Sequence, residues 1–189
     1  SSVVNLKLIL QGYYDADVQA MRPVMLNQGE GSSDTDVDTI TVELHDEFGA
    51  MAASATGVLQ TDGTVTLNFT PVTGDYYLVV SHRNTLATSS ASLVSFAAGV
   101  ATNYDFSTAA TQAYGDNQIE VAPGVFAMYT GDLNQDGYID AVDYPLFDSD
   151  NLSGASGNYA TDMNGDGYVD AVDYPIFDFN NLNGVTSYL

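Results

Sequence analysis

Cysteine and tryptophan are absent from these 189 residues, and only Lys7, Arg22 and Arg83 carry a fixed positive charge. Without cysteine no disulfide can staple the chain, so stability must come from a core of ordinary size for this length and from any metal site. The three cations face 25 acidic residues, for a formal charge of -22. Such a chain repels nucleic-acid phosphate and anionic lipid unless cations bridge them, and it stays dispersed until counterions screen it. A saline habitat and calcium dependence would both favour this composition. No run approaches the ~20 apolar residues of a membrane helix. The opening SSVVNLKLIL lacks a basic leader segment, so any secretory signal is expected to have been removed or to lie outside this sequence.

What the chain does have is a sentence written twice. GDLNQDGYIDAVDYPLFDSDNLSG (131–154) and TDMNGDGYVDAVDYPIFDFNNLNG (161–184) agree at sixteen of 24 positions, thirty residues apart. Each copy reads D-x-N-x-D-G-x-x-D-x-x-D. Calcium takes six to eight hard oxygen ligands, and a twelve-residue loop supplies them from positions 1, 3, 5, 9 and 12, with a backbone carbonyl from position 7 and glycine at position 6 for the turn. The first loop thus offers Asp132, Asn134, Asp136, the carbonyl of Tyr138, Asp140 and Asp143, with Gly137 at the turn. The second offers Asp162, Asn164, Asp166, the carbonyl of Tyr168, Asp170 and Asp173, with Gly167. Two calcium ions are expected. Magnesium is disfavoured because it retains several waters in near-ideal octahedral geometry. Without an ion the crowded carboxylates must stay apart or take up protons, which links folding of this segment to calcium.

The duplicated loop, with Asp rather than Glu at position 12 and one short helix after each copy, resembles a dockerin module over about residues 131 to 184. The resemblance implies two half EF-hands, each without its entering helix, packed as a pseudo-twofold pair, and a cohesin as partner for some members. The post-loop segments Tyr144-Pro145-Leu146-Phe147 and Tyr174-Pro175-Ile176-Phe177 do not match the family's usual recognition pairs.

Val142, Leu146 and Phe147, with their repeats Val172, Ile176 and Phe177, recur at near-helical spacing and predict one apolar stripe per copy, the two stripes facing each other. Pro145 and Pro175 require each helix to begin at the proline or kink there. Asn151, Asn181, Gly154 and Gly184 are the expected terminators.

Upstream the texture changes to short alternating runs between turn residues. Strands are predicted at 4–10, 39–44, 55–60, 65–69, 76–82, 92–96 and 102–106. Leu6, Leu8 and Leu10 share one face, as do Ile40, Val42 and Leu44. Asp62-Gly63 signals a hairpin. The fold class is therefore mainly β: an N-terminal β-sandwich (1–122), then a small α-helical dockerin-like module with two calcium loops (123–189). Gln60 to Phe69 followed by Gly74-Asp-Tyr-Tyr is similar to prealbumin-like and carboxypeptidase-regulatory-like sandwiches, and the whole arrangement is similar to terminal segments of secreted Bacteroidota proteins. That likeness implies a spacer, adhesion or assembly unit.

No nucleophile motif surrounds any serine, and His45 and His82 read as surface or packing residues, so no enzyme is expected. Glu30, Asp34, Asp36 and Asp38 read as a solvated acidic loop, since glycine and serine interrupt them. Tyrosines such as Tyr13, Tyr77, Tyr104 and Tyr114 read first as strand-face residues, with a sugar-stacking surface as the alternative. Asn68 and Asn151 sit in glycosylation-type triplets.

Two functional readings follow. The preferred one is an extracellular calcium-binding structural or adhesion protein whose copies associate into a filament or surface layer, the apolar residues of 112–130 packing to make a rigid unit. The alternative is a modular anchor whose dockerin-like end binds a cohesin-like receptor and whose sandwich binds a ligand such as polysaccharide. Millimolar calcium places either one outside the cell.

Overall fold

The computed structural model describes residues 1–188. Side-chain alternation builds the first layer. In β1 (Ser2–Lys7) Val4 and Leu6 point inward, and the chain continues as buried Leu8, Ile9 and Leu10. Beside β1 lie β6 (Thr64–Phe69), antiparallel, and β10 (Thr102–Asp105), parallel.

The second layer runs β5 (Met51–Gln60), β4 (Asp36–His45), β7 (Gly74–His82), β8 (Thr85–Ser89), with β9 (Val94–Phe96) also paired to β7. Its inward row is Ile40, Val42 and Leu44 of β4 with Leu78 and Val80 of β7, all fully buried. Both layers enclose one apolar cluster, the core of a sandwich. The fold is thus mainly β, as the sequence predicts.

The Asp62-Gly63 turn forms, with Gly63 at φ +88° and its amide donating to the Gln60 carbonyl at 2.8 Å. It does not close a hairpin ladder. β5 pairs with β4 and β6 pairs with β1, so the turn carries the chain from one layer to the other. Inter-layer packing decides this: a side chain at Gly57 of β5 would come within 2.8 Å of Val65 Cγ2.

The remaining elements are short. They are β2 (Tyr14–Asp15), β3 (Ala20–Met21), α1 (Val24–Asn27) and the pair β11 (Ile119–Ala122) and β12 (Val125–Ala127). Ala127 and Met128 belong to the sandwich core. Residues 128–130 then run beside residues 9–12 into the C-terminal part, through Met128 N to the Ile9 carbonyl at 2.9 Å and Gly12 N to Thr130 Oγ1 at 3.0 Å.

That part holds two helices, α2 (Tyr144–Ser153) and α3 (Tyr174–Leu182). Each starts one residue before its proline, so Pro145 and Pro175 sit in the first turn, where a missing N–H costs little. Gly154, at φ +65°, ends α2 in the left-handed conformation. A second core joins Leu133, Ile139, Phe147, Met163, Val169 and Phe177 to Leu86 of β8.

The predicted apolar stripes are only partly formed. Phe147 and Phe177 are buried, whereas Val142 and Val172 are each 62% exposed and Leu146 is exposed as well. The short loop-to-helix corner turns the valines outward, and the tyrosines meet instead: Tyr144 and Tyr174 lie edge to face at 5.8 Å. The halves also cross over. Ile139 N donates to the Val185 carbonyl after α3, and Val169 N to the Ala155 carbonyl after α2, at 3.0 and 2.9 Å. Each loop is thus clasped by the extended segment that follows the other copy's helix, a pseudo-twofold arrangement.

Candidate metal centre

Each loop is shaped by its own side chains. Asn134, Asp136 and Asp140 each accept, through one oxygen, the backbone amide two residues on, at 2.8 to 3.0 Å. Asn164, Asp166 and Asp170 repeat the pattern. These short turns bend the backbone around a centre. Asp132 accepts the amides of Asp136 and Gly137, and Asp162 accepts those of Gly165, Asp166 and Gly167.

Position 12 closes the ring. Asp143 accepts Leu133 N and Asn134 N through Oδ1 and Asp140 N through Oδ2. Asp173 holds Asn164 N and Asp170 N in the same way, both at 2.9 Å. Asp143, Asp162 and Asp173 are fully buried and Asp132 nearly so. The Asp at position 12 lies under its own loop because helix α2 or α3 begins at the next residue.

The twelve residues expected as ligands lie six to a loop, all oxygen donors. Among the described residues, no three or more His, Cys, Asp and Glu side chains are yet drawn together at metal-holding range. The carboxylates rest on loop amides, and part of the donor set is an Asn oxygen and a carbonyl. The electrostatics fit a cation. Burial pushes the Asp132 carboxyl up to about 6, against the Gly137 amide, and the Asp143 carboxylate pushes in the same direction. Burial likewise pushes Asp173 up to about 6 and raises Asp143 and Asp162. No lysine or arginine occurs in 131–184. Buried carboxylates without a cationic partner form the environment that a divalent ion stabilises.

The two loops differ in surroundings. In the first, Asn134, Gln135 and Asp136 are exposed. In the second, Met163, Asn164 and Gly165 are buried under α1 and the Gly12–Tyr13 turn. Gln28 Nε2 donates to Asp162 Oδ2 at 2.8 Å, Asn27 Nδ2 to the Gly165 carbonyl at 2.8 Å and Arg22 Nη1 to the Asn164 carbonyl at 3.3 Å. Nothing in the sequence pattern marks Gln28, because its partner lies 134 positions away. Gly165 could have been found: it occupies loop position 4 at φ +73°, where the first copy strains Gln135 to φ +60°.

The acidic stretch before β4 is not a uniform solvated loop. Glu30 and Asp34 are exposed, but Asp38 lies in β4 and accepts His82 Nε2 at 2.9 Å and Arg83 Nε at 2.7 Å through Oδ2. His82 is a buried packing residue, while His45 pairs with Glu43 at 2.7 Å near the surface. Tyr13 is buried and Tyr104 packs on Phe106, but Tyr77 and Tyr114 line an open cleft of about 540 Å³ with Glu43 and His45.

The comparisons with known proteins come to the same region. Residues 130–178 match the Dockerin type I domain. Over the whole length, the fold resembles a chain from a crystal structure of a type II cohesin–X–dockerin complex of Acetivibrio cellulolyticus, a C-terminal interface mutant. The two are 17% identical with a TM-score of 0.57, over 99% of this chain and 98% of that one. A chain from the N-terminal interface mutant of that complex gives 15% identity and a TM-score of 0.53, over 96% of each. At such identities the likeness is one of fold. No curated protein matches the sequence. Residues 130–178 thus form a Dockerin type I domain, and together with the β-rich part before them they share the overall fold of a chain from that cohesin–X–dockerin complex.

Proposed function

We propose that this chain is the docking end of an extracellular modular assembly, in which the dockerin domain binds a cohesin-like receptor and the sandwich holds that domain rigidly. The observation that carries the reading is a surface presented twice. Val142 and Val172 are exposed to the same degree, and Leu152 and Leu182 at the helix ends are 78% and 76% exposed. Large apolar side chains left in solvent at equivalent places in both repeats mark a protein-binding face. The dockerin match supports a cohesin-like partner for it.

Two calcium ions complete the proposal. One would be held by Asp132, Asn134, Asp136, the Tyr138 carbonyl, Asp140 and Asp143, the other by Asp162, Asn164, Asp166, the Tyr168 carbonyl, Asp170 and Asp173. The ion supplies the positive charge that these buried carboxylates lack, which holds each loop closed and fixes α2 and α3 behind it. A location outside the cell supplies the calcium. The two-module organisation read from the sequence is retained, but its boundary moves from 122 to after β12, because Ala127 and Met128 pack in the sandwich core.

This reverses the order of the two readings from the sequence. The dockerin match favours the anchor, and no observation supports a filament. The test is calorimetry of the full chain against purified type I and type II cohesin modules, with calcium and with chelator. Calcium-dependent binding that weakens at least tenfold in a V142D/V172D double variant supports the reading. No binding to either cohesin in calcium overturns it.

A further inference from the structure

The two loops share a sequence but not a setting. Loop 162–173 is roofed over residues 162–165 and Gly167 by the N-terminal part, with Tyr168 and Asp170 exposed, whereas loop 132–143 is exposed at Asn134, Gln135 and Asp136. The roof is closely fitted: a side chain at Gly12 would come within 2.0 Å of the Met163 carbonyl oxygen, and one at Gly167 within 2.4 Å of the Asn27 carbonyl oxygen. Gly165 likewise leaves room for Val24 Cγ2, which would stand 2.4 Å from an added carbon. At these three glycines the two surfaces are in direct contact.

The roof also touches the ligand set directly. Of the position-1 carboxylates, Asp132 accepts bonds only from its own loop, whereas Asp162 also accepts Gln28 Nε2. Gln28 is 6% exposed and is itself held, its Oε1 accepting Arg83 Nη2 at 2.6 Å while Arg83 Nε donates to Asp38. A chain of hydrogen bonds thus runs from strand β4 to the first ligand of the second loop. A side-chain donor on a ligating carboxylate fixes its orientation for the ion.

Resting on the calcium reading above, we propose that the two sites are inequivalent: the second is an occluded site, with Gln28 as positioning residue for Asp162, and its ion leaves only when the sandwich and the dockerin domain part. The first site exchanges freely with solvent. The second ion thereby acts as a latch between the two parts, and the first remains responsive to ambient calcium.

The test is stopped-flow calcium release from the calcium-loaded full chain into excess chelating dye. The wild-type chain is expected to release two ions in two phases, the slower by at least tenfold. Asp132→Ala should remove the fast phase and Asp162→Ala the slow one. Gln28→Ala should speed the slow phase about fivefold or more and leave the fast phase unchanged. Gln28→Glu, which still accepts from Arg83 but cannot donate to Asp162, should do the same, an outcome that loss of packing alone would not give. Release of both ions in a single phase, or a slow phase indifferent to both Gln28 variants, overturns the inference and leaves the calcium reading intact. A wild-type chain that releases no calcium overturns both. The wild-type trace needs no variant to fold, so it decides the inequivalence by itself.

Discussion

Arg83 Nε donates to Asp38 Oδ2 at 2.7 Å. Burial alone would raise the Asp38 carboxyl, but the hydrogen bond from His82 and the charges of His82 and Arg83 outweigh it and hold Asp38 below the usual carboxylate range. A depressed folded-state value means stability that is present above the unfolded value near 4 and lost as pH falls through the folded one. Urea unfolding of the wild-type chain should therefore weaken below about pH 4. Asp38→Asn should cost about 2 kcal/mol at neutral pH, as expected for hydrogen bonds to a charged group, and should flatten that acid limb.

The loop carboxylates give the opposite sign when calcium is removed. Asp132 and Asp173 are pushed up to about 6 by burial. Their contribution to the metal-free fold is fully present below the unfolded value near 4 and is lost as pH rises through 6. In chelator, the melting temperature should rise between pH 7.5 and pH 5. In saturating calcium it should fall over the same range, because protons compete for the ligands. Thermal melts at five pH values, with and without chelator, check the crossing.

Two glycines with similar backbones should respond differently to alanine. Gly154 has φ +65° with nothing within 4 Å of an added carbon, and Gly165 has φ +73° with Val24 Cγ2 at 2.4 Å. The left-handed conformation alone costs about 1 kcal/mol, and overpacking adds about 2 kcal/mol. Gly154→Ala should lower the melting temperature by roughly 3 °C and Gly165→Ala by roughly 9 °C, at about 3 °C per kcal/mol for this length.

The repeat also diverges at a buried position. Asp150 of α2 accepts Thr161 Oγ1, while its counterpart Asn180 of α3 donates to Gln11 Oε1 at 2.7 Å and to the Thr130 carbonyl at 2.6 Å. Asn180→Asp restores the first copy's residue but turns an acceptor toward two acceptors. A loss of about 2 kcal/mol is expected from the buried carboxylate turned toward the Thr130 carbonyl and the Gln11 amide oxygen, the latter keeping only its bond from Thr130 N, read by urea unfolding at pH 7. Asp150→Asn should cost less than half as much.

The duplicated loops were legible because their information is local: the Asp/Asn spacing, the turn glycine and the outgoing helix all fall within about twenty residues, and duplication doubles the signal. The long strands β4 and β7 were legible for the same reason, through Ile40, Val42 and Leu44. Strand β8 was not. Thr85 and Leu86 are both fully buried, so no alternation of apolar and polar residues marks it. The partition of β5 and β6 into separate layers was equally hidden, since Asp62-Gly63 specifies a turn and only Gly57 against Val65 decides where the strands go. The exposure of Val142 and Val172 escaped a periodicity argument because the helix starts two residues later, at Tyr144 and Tyr174. Gln28 above Asp162 could come only from the folded chain.

Two calcium ions are expected to complete the dockerin domain. Calorimetric titration of the metal-stripped full chain tests this most directly. Two ions bound per chain are expected, with a higher melting temperature at saturation. A titration without heat and a melting curve indifferent to calcium would contradict it.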